Sequence, residues 1–261
     1  MANPELKWWH VRWGLFGRGF KKIGLWLAIV LAAGWMLYTT VLSVLEFFQP
    51  WLAIRNLGKD PNAWIVPKAP SDKSLAQLSG ATIEEYGYSI QTPWVAPSTY
   101  KGLGDLIESV TFRKDHTGMF FVKPSKQSDL LAQYGANPDA RTLFSSQALQ
   151  SNYDLMAAAM NATPKDAKWW RGPRENEGLL VLLVNKTVGM MDYHNIYTIG
   201  SRGMRGFQLG DPEKPPHRVQ LHLYDAADRH ISIDIFGDQE GSLTQAQLNA
   251  MVASIRPVEQ K

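Results

Sequence analysis

No cysteine occurs among the 261 residues. That absence excludes disulfides, thiolate nucleophiles, cysteine-ligated zinc, iron-sulfur clusters and covalent c-type haem attachment. The common catalytic spacings are missing too: there is no Gly-x-Ser-x-Gly, no His-Glu-x-x-His and no paired-carboxylate signature. A net positive charge is missing outside one segment. Residues 1–22 hold Lys7, Arg12, Arg18, Lys21 and Lys22 against Glu5, a balance of +4, which leaves 22 Lys and Arg against 23 Asp and Glu, or −1, of the overall +3. A nucleic-acid binder needs its positive field on the folded surface, so the pI near 9.0 predicts no nucleic-acid partner.

What the sequence does have is one long apolar run. Residues 23–48, IGLWLAIVLAAGWMLYTTVLSVLEFF, carry no charge before Glu46. As a helix they would span roughly 39 Å, against a hydrocarbon core of about 30 Å. Leu31, Ala32 and Ala33 could imitate the cleavage site of a secretory leader, but the apolar run continues well past them, which favours a retained anchor. Five cations precede the span and only Arg55, Lys59 and Lys68 follow it, so the positive-inside bias puts the tail in the cytoplasm and the rest outside. Trp8, Trp9 and Trp13 before the span, and Trp51 after it, are expected as interfacial anchors. Leu6, Trp9, Trp13, Phe16 and Phe20 recur at helical spacing, so residues 1–22 read as an interfacial helix or as a loose cytoplasmic tail held by its tryptophans. Within the span Gly24, Ala28, Ala32, Thr39 and Ser43 share one face, where small side chains allow a second helix to approach closely. The partners expected are the lipid bilayer and integral membrane subunits. Glu46 is expected to snorkel to the outer headgroups.

Residues 49–80, with Pro50, Pro61, Pro67 and Pro70 and no sustained period, read as an extended connector, and residues 81–261 as one soluble α+β domain. Trp51 and Trp64 are unusual in a free connector and suggest that it lies against lipid or protein. Strands are expected at 85–91, 108–113 and 118–123, the last two as a hairpin. Asn137 and Pro138 open a helix whose apolar stripe is Leu149, Tyr153, Met156 and Met160, and Thr163 with Pro164 starts a short one. The run LLVLLV after Gly178 reads as a buried strand, followed by strands at 196–200 and 203–209. The clearest inference is the last hairpin. Val219, Leu221, Leu223 and Ile231, Ile233, Ile235 alternate with polar residues, and placing both sets on one face pairs Leu223 with Ile231, Tyr224 with His230 and His222 with Ser232. A capping box, Ser242 with Gln245 or Thr244 with Gln247, opens a final helix that Pro257 ends.

Three constellations carry possible chemistry. The stretch GSRGMRGFQLGDP, residues 200–212, with Arg202 and Arg205, lacks the Gly-Lys-Ser/Thr ending of a phosphate loop and reads as turn and bulge glycines. His222, His230 and Asp234 share a strand face and could meet a metal, though such polar residues are routine on strand faces. Asp192, Tyr193 and His194 could serve acid-base chemistry but have no recognisable nucleophile beside them. No catalytic, cofactor or metal residue is assigned on this basis.

The initial strand running into Pro93 and Trp94, the early hairpins, the central helical insert at 137–170, the antiparallel run and the closing helix ending Ser254-Ile255-Arg256 resemble the PsbP-like fold, an antiparallel sheet sandwiched with helices. That superfamily includes the extrinsic P subunit of photosystem II. The similarity covers roughly residues 82–257 and implies a binding or assembly module on a larger complex, without catalytic residues. The expectation is a non-catalytic accessory subunit of a bacterial membrane complex, photosynthetic or respiratory, sited in the inner membrane with a periplasmic domain. A membrane-anchored periplasmic ligand-binding or sensor module is the alternative.

Overall fold

The computed structural model describes residues 5–95, 97, 99–102, 107–112, 117–122, 150–170, 172–201, 203–237 and 243–258. Asn137, Pro138, Leu149, Arg202 and Ser242 lie outside them. The chain forms two compact units, residues 1–49 and 50–261.

Helix α1 (Glu5–Leu57) makes up the first unit and contributes its last residues to the second. Its part from Ile29 to Leu57 is long and apolar enough to cross a membrane. The division falls at Pro50, which has no N–H to give the carbonyl of Glu46. Helical structure continues through Leu57, so the stretch read as an extended connector is helical at its start. The reason is burial: Ile54 is fully enclosed, in one apolar cluster with Leu155, Leu179 and Leu183. Beyond it, Asp60 caps a 3₁₀ turn (Pro61–Trp64). The backbone of Lys68 pairs with Tyr197, and Asn249 donates to the carbonyls of Asp72 and Ser74. Residues 50–80 are therefore bound into the second unit along much of their length.

That unit is α+β with two antiparallel sheets. The small sheet orders β1 (Thr82–Glu85), β2 (Tyr88–Gln91) and β10 (Arg256–Pro257) as β1-β2-β10. One strand was expected at 85–91. Instead Tyr86 and Gly87 take φ of 49° and 82°, a two-residue turn of the kind whose twist suits a hairpin, and the chain folds back there. The large sheet holds β3 (Thr99–Gly102), β4 (Ile107–Phe112), β5 (Thr117–Val122), β6 (Ile196–Gly200), β7 (Met204–Gly210), β8 (Arg218–Asp225) and β9 (His230–Gly237), in the order β3-β4-β5-β9-β8-β7-β6. The expected hairpin β4-β5 and the strands β6 and β7 are present. Hairpin β8-β9 has the anticipated register, with Leu223 opposite Ile231, Tyr224 opposite His230 and His222 opposite Ser232.

One face of the large sheet buries Phe112, Met119, Leu221 and Ile233 against Ile83, Ile90 and Trp94 and against Leu248 and Met251 of α4 (Gln245–Ser254). Each such side chain contributes roughly 1.5–3 kcal/mol by leaving water. Thr244 and Gln247 form the capping box of α4. The opposite face carries α2 (Asn152–Asn161), capped by Ser151, whose Tyr153 stacks on Phe207 at 5.8 Å. Thr163 and Asp166 close a second 3₁₀ turn (Pro164–Asp166).

The run LLVLLV is not a strand. It lies in α3 (Pro173–Gly189), where Leu179, Leu182, Leu183 and Lys186 are buried at i, i+3, i+4 and i+7 while Val184 and Val188 face out. A short apolar run cannot by itself distinguish the two periods. Here Pro173 in the first turn and the length of the segment decide for helix.

Candidate functional site

Three regions bear on function, beginning with the anchor. From Ile29 to Phe47 every side chain of α1 is exposed, including Trp35 at 68% and Leu37 at 67%. At 100° per residue, Gly24, Ala28, Ala32, Thr39 and Ser43 fall within about 100° of arc. Trp35 falls inside the same arc and divides the small residues into two patches, which sequence spacing alone had not brought out. Thr39 and Ser43 line a shallow groove with Phe47, and the Thr39 hydroxyl donates to the carbonyl of Met36 at 3.0 Å, so it enters the apolar surface already paired. The side chains of Trp8, Trp9, Trp13, Gly24 and Ala28 lie outside the described set. Trp51 is half-buried, with the Arg55 guanidinium 5.8 Å above its ring.

The second region is the outer face of hairpin β8-β9. Pairing puts His222 and His230 side by side, with Nδ1 of the first 3.1 Å from Nε2 of the second, and their rings stacked at 5.3 Å. One ring must donate and the other accept, a neutral pair. Burial, reinforced by the charge His230 would carry, pulls His222 down to about 3. Burial pulls His230 down to about 4, against the opposing attraction of Asp228. Tyr224 stacks on His230 at 4.8 Å, and its buried hydroxyl has no hydrogen-bond partner among the described residues. Asp234, expected on the same face, does not join the histidines. Arg218 grips its carboxylate at both oxygens and reaches Asp192 at 3.2 Å, with the Tyr193 hydroxyl at 3.5 Å. The two expected groups, one of His222, His230 and Asp234 and the other of Asp192, Tyr193 and His194, are thus regrouped: the histidines pair with each other, and Asp234 joins Asp192 and Tyr193 around Arg218. Among the described residues no three His, Asp or Glu are placed to hold a metal ion.

The phosphate-loop stretch is the β6-β7 hairpin and its exit. Arg205 covers the Tyr153 ring at 4.0 Å, and a Cβ on Gly206 would sit 1.9 Å from the His222 carbonyl oxygen. Gly206 thus serves close strand approach, whereas Gly203 would meet no atom within 4 Å.

The third region is a groove of about 720 Å³ between Pro70 and Leu75, the edge strand β6, and Asn249 and Val252 of α4. Ser201 and Met204 exchange both backbone bonds, so alternate residues 196, 198 and 200 turn their backbone groups outward. Lys68 satisfies two of those groups: its N–H donates to Ile196, and its carbonyl accepts from Thr198. The residue pattern gave no forewarning of this groove, because its walls come from three distant segments.

No protein-family model matches the chain, and no curated protein or solved structure matches it either.

Proposed function

We propose that this chain is a membrane-anchored, non-catalytic accessory or assembly subunit of a bacterial membrane complex, in the inner membrane, with its N-terminus cytoplasmic and its domain periplasmic. The observation that carries the reading is the run of exposed apolar side chains from Ile29 to Phe47, a surface that water does not tolerate and that lipid and neighbouring helices do. The two small-residue patches on either side of Trp35 support helix contact within the bilayer. The charge balance, +4 before the span and 0 after it, supports the orientation. The order of hairpins, helical insert, antiparallel run and closing helix supports a PsbP-like likeness for the domain, and with it an energy-transducing complex. Extraction in mild detergent followed by native mass measurement tests the reading. Masses that include other subunits are expected, and a lone monomer would sink it.

The groove beside β6 favours a second reading, a ligand-binding or sensing module. Its volume lies in the range of small-molecule sites, and it combines apolar walls with the Asn249 amide and outward backbone groups. A thermal-shift screen on the detergent-solubilised chain should find a stabilising compound if this reading holds.

A further inference from the structure

We infer that the helical layer of the second unit carries its own lipid-binding patch, which seats the domain on the anionic phospholipid headgroups of the membrane that anchors it. The patch is built from two 3₁₀ turns brought together in the fold. A Cβ on Gly58 would lie 3.2 Å from that of Pro164, so the chain just before the first turn rests against the second. Lys165 then reaches over the Trp64 ring at 5.7 Å, and Lys168 donates to the Lys165 carbonyl at 2.9 Å. Trp169 and Trp170 follow directly, edge to face at 5.7 Å. Trp64, Trp169 and Trp170 are 43%, 56% and 63% exposed, a large outlay of indole surface to leave in water.

Charge points the same way. From Arg55 to Trp170 the two turns and their flanks bring Arg55, Lys59, Lys165 and Lys168 against Asp60 and Asp166, four cations to two carboxylates. Both carboxylates are committed to capping: Asp60 accepts from the backbone N–H of Asn62, and Asp166 from the N–H and hydroxyl of Thr163. The cations have no such engagement with acidic side chains among the described residues. Tryptophan beside lysine and arginine suits the headgroup layer, where an indole ring finds an apolar bed and a polar edge and cations find phosphate. Protein interfaces, by contrast, are depleted in lysine. Covalent continuity supplies the location, since Trp51 and Arg55 follow the end of the first unit by only a few residues and so stay near the point where the chain leaves the bilayer.

The inference rests on the anchor reading, and the test separates the two. Because the chain lacks cysteine, single nitroxide labels can be placed on the full-length protein at Leu37→Cys in the span, at Gly172→Cys beside the paired tryptophans, and at Ser71→Cys as an aqueous control. Gly172 has no atom within 4 Å of a built Cβ, so the label displaces nothing. The reconstituted protein is compared in phosphatidylcholine and in phosphatidylglycerol-containing vesicles, by collision of each label with lipid-soluble oxygen and with a water-soluble nickel chelate. Expected is a label at 172 that gains oxygen and loses nickel contact in the anionic vesicles while 71 stays aqueous, with reversion in a Trp169→Ala, Trp170→Ala chain. Loss of Lys165 should weaken the lipid-bound population about fivefold. A label at 172 as aqueous as that at 71, with 37 in hydrocarbon, would overturn the patch and leave the anchor standing. Shielding from both reagents would overturn lipid in favour of protein. A label at 37 outside hydrocarbon would remove the anchor and the patch together.

Discussion

Acid should weaken this domain through two residues, His222 and His230. Both titrate near 6.5 when unfolded, and the fold lowers them to about 3 and about 4. The sign follows from those directions. Above the unfolded value both states bind no proton and the pair has no pH effect. As pH falls below 6.5 the unfolded chain takes up protons that the folded one refuses, and stability drops until the folded values near 4 and 3 are reached. At about pH 5 each imidazole then biases the equilibrium toward unfolding by roughly 2 kcal/mol, about 3–4 kcal/mol for the pair. That is a large fraction of the roughly 5–15 kcal/mol that holds a domain together. The assay is urea denaturation of the full chain in detergent at neutral pH and at about pH 5, beside a His222→Phe, His230→Phe variant that keeps stacked rings but cannot titrate there. The native chain should lose about 3 kcal/mol more than the variant between the two conditions. Equal losses would show that the imidazoles are already solvated or charged in the fold, and would refute the reasoning.

Three further outcomes can be checked by the same denaturation measurement. Gly206→Ala should abolish stable pairing of β7 with β8, at a cost of several kcal/mol, because its Cβ would overlap the backbone carbonyl of His222 and no rotamer can relieve that. A Gly206→Ala chain of native stability would contradict the close strand approach. Tyr224→Phe should leave stability unchanged or raise it by up to about 1 kcal/mol, since it deletes a buried hydroxyl with no partner among the described residues; a clear loss would mean that the hydroxyl is bonded in solution. Lys186 donates to the carbonyls of Ala162 at 2.6 Å and Ala63 at 3.3 Å, and burial, partly offset by Asp166, lowers its amine to about 8 from 10.5. The fold therefore gains stability as pH rises between those values. Lys186→Met should flatten that rise and cost about 1–3 kcal/mol near neutrality by stranding two carbonyls, and an unchanged alkaline profile would count against a buried charged lysine.

Much of the sheet could be read from residues because its signals are local and binary. Ile231, Ile233 and Ile235 alternate strictly, so a shift of one residue would move all three away from Leu221 and Leu223 to the opposite face, and this pins the register. Thr244 and Gln247 announce α4 by the same kind of short-range bond. The failures share a different cause. Residues 179–184 are apolar on every side over a length that suits a strand or a helix, and what selects the latter lies outside the run, in Pro173 upstream and in the cluster with Ile54 and Leu155. The division of 85–91 into two strands turns on Tyr86 accepting a positive φ, which an aromatic residue does not advertise. Arg256 and Pro257 join β2 although Pro257 reads as a terminator. At the candidate sites, the meeting of His222 with His230 followed from the register. The capture of Asp234 by Arg218 did not, because an arginine at the start of β8 has several carboxylates within reach.

The single rung between Lys68 and β6 has a consequence for how the molecule avoids its own kind. Strand β6 is an edge, and a parallel neighbour that had satisfied Ile196 and Thr198 would next offer the N–H of residue 70 to the Thr198 carbonyl. Residue 70 is proline and has no N–H to offer. The ladder stops after one residue, and the chain turns from the edge toward α4, where Ala76 and Asn249 hold it. Two of the six outward backbone groups are thereby given to a partner that cannot be extended, and the pyrrolidine ring stands where a strand from another molecule would begin to zip. Proline at that rung thus works against the sheet-to-sheet pairing that an open edge invites.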